Sequence, residues 1–397
     1  MSAKESGHTP KYKLISDRTN ALSPSGIRKF FDLLQSMEGV ISLGVGEPDY
    51  ATPWHISEAA VKSLERGYTM YTSNSGIIEL RELTCKYLQE KYGIDYASNG
   101  EILMTVGVSE ALDLAMRAIL NPGDEVIMTD PHYVAYDACV ILAGGKPVMV
   151  STSEKHGFEV DAKDIEKKIT KKTRAILIGY PSNPTGAVME KQKLLDIAEV
   201  ARKHDLTVIS DEIYARLTYG MEHTCYASLP GVKDNTILLG GFSKAYAMTG
   251  WRIGYAVAPK EIIAAMTKIH QYTIMSAPTP AQVAAIEALK TGEPDVVEMV
   301  EDYNRRRKII VKGLTDIGLP CFEPKGAFYA FPSITCTGMN SETFSETLLQ
   351  EEKVAVVPGS AFGQCGEGYI RCCYATSLAD IEEALKRIGR FVKKYRK

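Results

Sequence analysis

The sequence predicts an α/β fold, a largely parallel β-sheet with helices on both faces, followed by a smaller α+β module. Three observations carry this expectation. Between residues 101 and 240, short continuous apolar runs alternate with helix-patterned segments, the pattern of strands buried on both faces and joined by helices. From about Glu293 onward the pattern changes to a long charged helix and then short strands. A chain of 397 residues is also too long for one ordinary core, so about two domains are expected.

Residues 101–106 read as a strand and 109–120 as a helix, 125–129 as a strand and 133–143 as a helix, and 146–150 as a further strand. The strand at 173–179, the helix at 190–204 and the strands at 207–210 and 236–240 follow. In the last part, a helix at 296–317, containing Asn304-Arg305-Arg306-Arg307-Lys308, leads to strands near 327–331, 354–357 and 369–374 and to a final amphipathic helix at 378–394. The expected organisation is an N-terminal segment, 1–48, belonging to the small domain, a large domain over 49–295 and a small α+β domain over 296–397.

Composition narrows the functional classes. A hydrophobic content of 45% and a charged content of 24% are ordinary for a globular protein. A formal net charge of -3 gives no reason to expect nucleic acid or an anionic membrane as partner. The basic pairs Lys167-Lys168, Lys171-Lys172 and Lys393-Lys394 read as solvated helix ends. The eight cysteines show no Cys-x-x-Cys spacing, which favours reduced thiols over a zinc site. Residues 1–13 are polar and lack the apolar core of a signal peptide. No apolar stretch approaches the roughly 18 residues of a membrane span, so a cytoplasmic protein is expected.

In parallel sheets, ligands bind beyond the carboxyl ends of the strands, and four such ends carry chemistry here. After the first strand, Gly107-Val108-Ser109 opens a helix, whose free N–H groups and dipole favour an anion; Ser109 also suits a plain helix cap. After 173–179 comes Pro181-Ser182-Asn183-Pro184-Thr185-Gly186, a turn that presents the Asn183 amide. After 207–210 come Asp211 and Glu212, followed by Tyr214. A carboxylate at a strand end needs a partner to offset its desolvation, and capping a following helix is the alternative reading, open to either acid.

The fourth end holds Ser243-Lys244, among small residues and eight positions before Arg252. Small neighbours leave room for a bulky group at the amine, and a desolvated lysine forms Schiff bases. Lysine beside an anion clamp is the arrangement used with pyridoxal phosphate, and a protonated pyridine nitrogen is the natural partner of the strand-end carboxylate.

The run Ser243-Lys244 to Met248-Thr249-Gly250-Trp251-Arg252-Ile253-Gly254-Tyr255 resembles the attachment signature of the class I/II, fold-type I aminotransferases, and the resemblance extends over nearly the whole chain. It implies pyridoxal 5'-phosphate as cofactor and a large domain with a mostly parallel seven-stranded sheet plus a smaller α+β domain. By the same resemblance Lys244 is the covalent anchor and general base, Asp211 the partner of the pyridine nitrogen, and Asn183 and Tyr214 the groups on the ring hydroxyl. Tyr133 stacks on the ring. Val108, Ser109 and Arg252 match phosphate contacts, and Tyr71 matches one supplied by the neighbouring subunit of a homodimer. Arg371, Gly46 and Asn183 match the site of the substrate α-carboxylate. Many relatives have a serine where this chain has Gly241, and Ser243 is the candidate replacement.

The implied reaction moves the amino group of an L-amino acid (aspartate, aromatic or related, including acylated diaminopimelate) to 2-oxoglutarate. A β-eliminating carbon-sulfur lyase and a cyclopropane-forming synthase share the same cofactor constellation. A ligand-binding regulator on this fold is disfavoured, because such proteins usually carry a fused DNA-binding domain for which the chain has no room. No motif marks the side-chain specificity. The resemblance puts residues 15–18 and 23–27 near the cleft, where Arg18 or Arg28 is a candidate for a second carboxylate, with surface solvation as the preferred reading.

Overall fold

The computed structural model describes residues 14–22 and 37–397; residues 23–27 and Arg28, placed near the cleft above, lie outside them. The strands in chain order are β1 (Ile41–Ser42), β2 (Ile102–Thr105), β3 (Glu125–Asp130), β4 (Lys146–Ser151), β5 (Thr173–Gly179) and β6 (Thr207–Asp211). They continue as β7 (Thr236–Gly241), β8 (Gly254–Val257), β9 (Tyr329–Ala330), β10 (Val354–Ala355), β11 (Val357–Pro358) and β12 (Ile370–Cys373).

The main sheet has seven strands in the order β2-β8-β7-β6-β5-β3-β4. All neighbours pair in parallel except β8, which runs antiparallel to both β2 and β7. This is the fold the resemblance implied. The period of two along each strand divides its side chains between two apolar layers. Ile176 and Ile178 pack into one cluster with Phe158 and Ile197, while Ala175 and Leu177 pack into another with Leu114 and Met266. Burial on both faces is why these strands read as unbroken hydrophobic runs.

The covering helices follow the 3.6-residue period. Helix Lys191–Lys203 buries Leu194, Ile197, Ala198 and Ala201, and helix Gly107–Ile119 buries Ala111, Leu112, Ala115 and Met116. Helix Glu293–Asp316 starts with a proline in its first turn, where the missing N–H costs nothing. Helix Leu378–Tyr395 is capped by Ser377, whose hydroxyl accepts from Asp380 N.

One sequence expectation is corrected here and one strand is added to those expected. The apolar run 354–357 is not one strand: Val354 and Ala355 pair with Ile41 and Ser42 of β1, whereas Val357 and Pro358 pair with Arg371 and Ile370 of β12. A continuously apolar run gives no sign that its pairing partner changes. The added strand is β8, which sequence patterning passes over because four residues after a glycine-rich loop read as part of that loop. Its direction matters for the site. Running antiparallel, β8 begins at the sheet edge where the parallel strands end, so Arg252 arrives beside their carboxyl ends.

Candidate active site

A cavity of about 630 Å³ opens at that edge. Its walls include Gly46, Val108, Ser109, Tyr133, Asn183 and Asp211, together with Tyr214, Ser243, Lys244, Arg252 and Arg371. Tyr71 is not among them and is 78% exposed on the surface. Arg18, the candidate for a second carboxylate, is also outside the walls, exposed and donating to the Leu142 carbonyl at 3.1 Å.

Lys244 follows β7, and its Nζ donates to the Gly46 carbonyl at 2.7 Å. Burial pushes the amine down to about 8 against the opposing pull of Cys373 and Glu47, and the Arg371 and Arg252 charges add a smaller push downward. Its nitrogen lies 5.8 Å from the Tyr214 ring centre and 5.7 Å from that of Phe328.

Asp211 ends β6. Tyr136 donates its hydroxyl hydrogen to Asp211 Oδ2 at 2.9 Å, and Ile213 N donates to Oδ1 at 3.2 Å. Burial pushes the carboxyl up to about 6, and those two donors oppose it only in part. Capping a helix is not its task, since turns rather than a helix follow. Gly179 of β5 is the register partner of Asp211, and a Cβ there would collide with the Tyr136 hydroxyl. Glycine at 179 is therefore what lets Tyr136 reach the carboxylate.

Arg371, on β12, is 3% exposed. Its Nη1 donates to Asn183 Oδ1 at 2.8 Å and its Nη2 to the Gly44 carbonyl at 2.7 Å. The guanidinium carbon lies 4.4 Å from the Tyr329 ring centre and 4.9 Å from that of Phe362. Its Nε is buried without an acceptor among the described residues. The Tyr214 and Tyr329 hydroxyls share a hydrogen bond of 2.7 Å. A Cβ on Gly46 would stand 2.5 Å from that Tyr329 oxygen, so Gly46 is held to glycine by close approach.

Helix Gly107–Ile119 points its N-terminus at the cavity, with Gly107 at φ +72°. A Cβ on Gly107 would lie 2.7 Å from Arg252 Nη2, and one on Gly254 would lie 2.8 Å from the Gly107 carbonyl carbon. Glycines at these two positions bring the guanidinium and the helix start together. The capping alternative for Ser109 is not what is built: the helix begins two residues earlier, and Glu110 accepts from Val106 N at 2.5 Å. At Gly241 a Cβ would meet Gly254 Cα and Val108 Cγ2, each at 3.1 Å. The serine of relatives would need those neighbours to yield slightly.

Sequence reasoning missed Tyr136, Tyr329 and Phe362. Tyr136 had a usable signal, because it stands three residues after Tyr133 at the start of a helical segment and so shares its side. Tyr329 and Phe362 had none, since a two-residue strand and a four-residue 3-10 helix are too short to show a period.

Three groups here await partners of defined chemistry. A buried carboxylate whose hydrogen-bond donors, the Tyr136 hydroxyl and the Ile213 amide, are both neutral suits a protonated pyridine nitrogen. A helix start beside a guanidinium suits a phosphate. An amine shifted down to about 8 suits Schiff-base formation. With the open α/β sheet, these define a pyridoxal-phosphate-dependent enzyme. The sequence profile of the family "Aminotransferase class I and II" matches residues 38–388, and the chain belongs to that family: it is an aminotransferase. It is 57% identical over 380 residues to the putative aminotransferase YugH of Bacillus subtilis, covering 96% of this chain and 98% of that protein. It is 45% identical to aromatic-amino-acid aminotransferase 2 of Thermococcus litoralis, covering 96% and 98%. Among solved structures, the aspartate aminotransferase of Thermus thermophilus with maleate superposes with a TM-score of 0.91 at 38% identity, covering 96% of this chain and all of that one (100%).

Proposed function

We propose that this aminotransferase moves the α-amino group of an L-amino acid, aspartate, aromatic or acylated diaminopimelate, to 2-oxoglutarate. Relatives over nearly the whole chain are named as aromatic, aspartate and probable N-acetyl-LL-diaminopimelate aminotransferases. The observation that supports the residue roles best is the depressed Lys244 amine in one cavity with Asp211 and Arg371.

Bound pyridoxal phosphate supplies the electron sink that lets a Cα–H bond ionise. Lys244 Nζ removes the proton at the substrate α-carbon, and an amine near 8 is neutral in a useful fraction at mildly alkaline pH. Asp211 would hold the proton at the ring nitrogen, Asn183 and Tyr214 would serve the ring hydroxyl and Tyr133 would pack against the ring. Val108, Ser109, Ser243 and Arg252 would hold the phosphate. Arg371, kept in place by Asn183 and the Gly44 carbonyl, takes the substrate carboxylate, with Gly46 beside it.

A homodimer completes the reading, with Tyr71 reaching a neighbouring subunit's phosphate. Its support is a group of exposed apolar side chains, Tyr68, Met70, Tyr71, Tyr272, Ile274 and Met275, the kind of patch that marks an interaction surface. The eight free thiols suit a reducing, cytoplasmic setting.

The test is to mix the protein with candidate amino acids and 2-oxoglutarate and to measure glutamate. Glutamate formation with an aspartate or aromatic donor is expected, and release of pyruvate and ammonia instead would overturn the reading. Lys244→Ala should lower turnover by on the order of 10⁴-fold, the upper range for losing a general base. Arg371→Ala should raise KM for the amino acid about 100-fold, as expected for losing a charge-assisted pair of hydrogen bonds, with much less effect on cofactor affinity. Equal loss of both affinities would contradict the clamp role.

A further inference from the structure

Asp130 is the last residue of β3, one position before the turn Pro131-His132-Tyr133. It is buried, yet it lies outside the cavity walls. Its carboxylate reaches a segment more than 230 residues away in sequence. Oδ2 accepts from Gln364 N and Oδ1 from Cys365 N, each at 3.1 Å. Gly363, at φ +125°, makes room for this: a Cβ there would collide with Asp130 Oδ1. A third bond runs beside the pair, from His132 N to the Phe362 carbonyl at 2.9 Å. The turn that carries Tyr133 is thus fastened to the segment that carries Phe362, whose ring packs against the Arg371 guanidinium.

A buried carboxylate is an expensive way to satisfy two loop amides, because its charge must be desolvated. Water or a neutral side chain would serve those N–H groups at less cost if they alone were at stake. An anionic acceptor makes hydrogen bonds roughly twice as strong as a neutral one. The residues it joins are the aromatic beside the cofactor's place and the aromatic beside the arginine.

We propose that Asp130 is a positioning residue for substrate binding, which holds the Gly363–Cys365 backbone and so fixes the Phe362 ring against which the Arg371 guanidinium is oriented. The inference rests on the reading of Arg371 as the carboxylate clamp. Asp130 touches neither substrate nor cofactor. Its effect belongs to the amino-acid and 2-oxo-acid sites and not to the proton transfer at Lys244.

The test uses the cofactor-loaded enzyme with Asp130→Asn, Asp130→Ala, Gly363→Ala and Arg371→Ala, read by steady-state kinetics, cofactor affinity and amide hydrogen exchange. Asp130→Ala, which removes both accepted bonds, should raise KM for both substrates about tenfold, since only part of their strength is felt at Arg371. Turnover and cofactor affinity should change less than about threefold. Exchange at the Gln364 and Cys365 amides should quicken about tenfold in the loaded and the cofactor-free protein alike. Gly363→Ala should reproduce these effects with Asp130 intact, and Asp130→Asn, which keeps one acceptor oxygen, should fall between. If the alanine variant does not fold, the asparagine variant decides. Faster amide exchange with unchanged KM would overturn the proposal, as would a turnover loss with KM unchanged. Arg371→Ala with an unchanged KM would instead remove the clamp reading itself, which keeps the two failures distinct.

Discussion

Asp211 and Glu212 are neighbours at the end of β6, both buried, and their surroundings treat the two charges differently. Glu212 turns away from the cavity and is surrounded by donors. Ser210 Oγ and Tyr226 N both donate to its Oε1 at 2.8 Å, and His223 Nε2 lies 2.6 Å from Oε2. Asp211 faces the cavity with one hydroxyl and one backbone amide as donors, and burial holds its carboxyl up near 6. The acid whose charge is fully served within the chain is an anchor, tying β6 to the loop at residues 223–226. The acid whose charge is served only in part is the one available to a ligand.

The largest effect that tests this contrast is on turnover. Asp211→Asn should lower kcat by about 10² to 10³-fold, the usual cost of removing one preorganised electrostatic partner. Glu212→Gln should leave kcat within about threefold and should instead cost about 1–3 kcal/mol of stability, because an amide hydrogen replaces an acceptor among donors. Steady-state kinetics and thermal unfolding on the two variants check this, and a kinetic loss in Glu212→Gln with unchanged stability would break the contrast.

A second test reads stability in the cofactor-free protein. A carboxyl held up to about 6 in the folded chain favours its protonated form there. Its contribution is fully present below the ordinary carboxylate value of about 3.9 and is lost as pH rises through about 6. Across that window the ionised Asp211 costs the fold on the order of 3 kcal/mol. Asp211→Asn should therefore unfold at a higher temperature than the parent at pH 7.5 and at about the same temperature at pH 4. Saturating cofactor should erase or reverse the difference at pH 7.5, since the ring cation then offsets the charge. A variant less stable than its cofactor-free parent at pH 7.5 would show that Asp211 is already satisfied within the chain.

How much of this was legible in the sequence depended on whether each signal was local. The parallel strands were, because apolar runs and turn residues are written side by side, and so were Lys244, Asn183 and the acidic pair at the end of β6. Which acid faces the cavity came only from the family resemblance, which picked Asp211, because the residues themselves left it open: consecutive positions point to opposite sides and the capping alternative suited both. The donors that settle the matter, Tyr136 on one side and His223 and Tyr226 on the other, come from separate segments. The same holds for Arg371, which reads as a lone arginine until Asn183, Gly44 and Tyr329 surround it. The direction of β8, which delivers Arg252, is also a fact of pairing and not of pattern.

The smallest effect sharpens the contrast most, because it leaves both acids in place. Tyr136→Phe removes the one side-chain donor to Asp211 among the described residues and keeps the ring that packs edge-on against Tyr133 at 5.6 Å. A donor to the ionised form stabilises it, so its loss should carry the carboxyl further up from about 6, by about one to two pH units for a charged hydrogen bond. Infrared titration of the cofactor-free protein should show that move, and the acidic limb of the activity profile should follow it upward, with kcat at neutral pH falling about tenfold or less. Gly179→Ala should do the same by displacing the Tyr136 hydroxyl. Should Gly179→Ala shift the titration while Tyr136→Phe does not, the packing at Gly179 sets the acid's behaviour and the hydrogen bond does not.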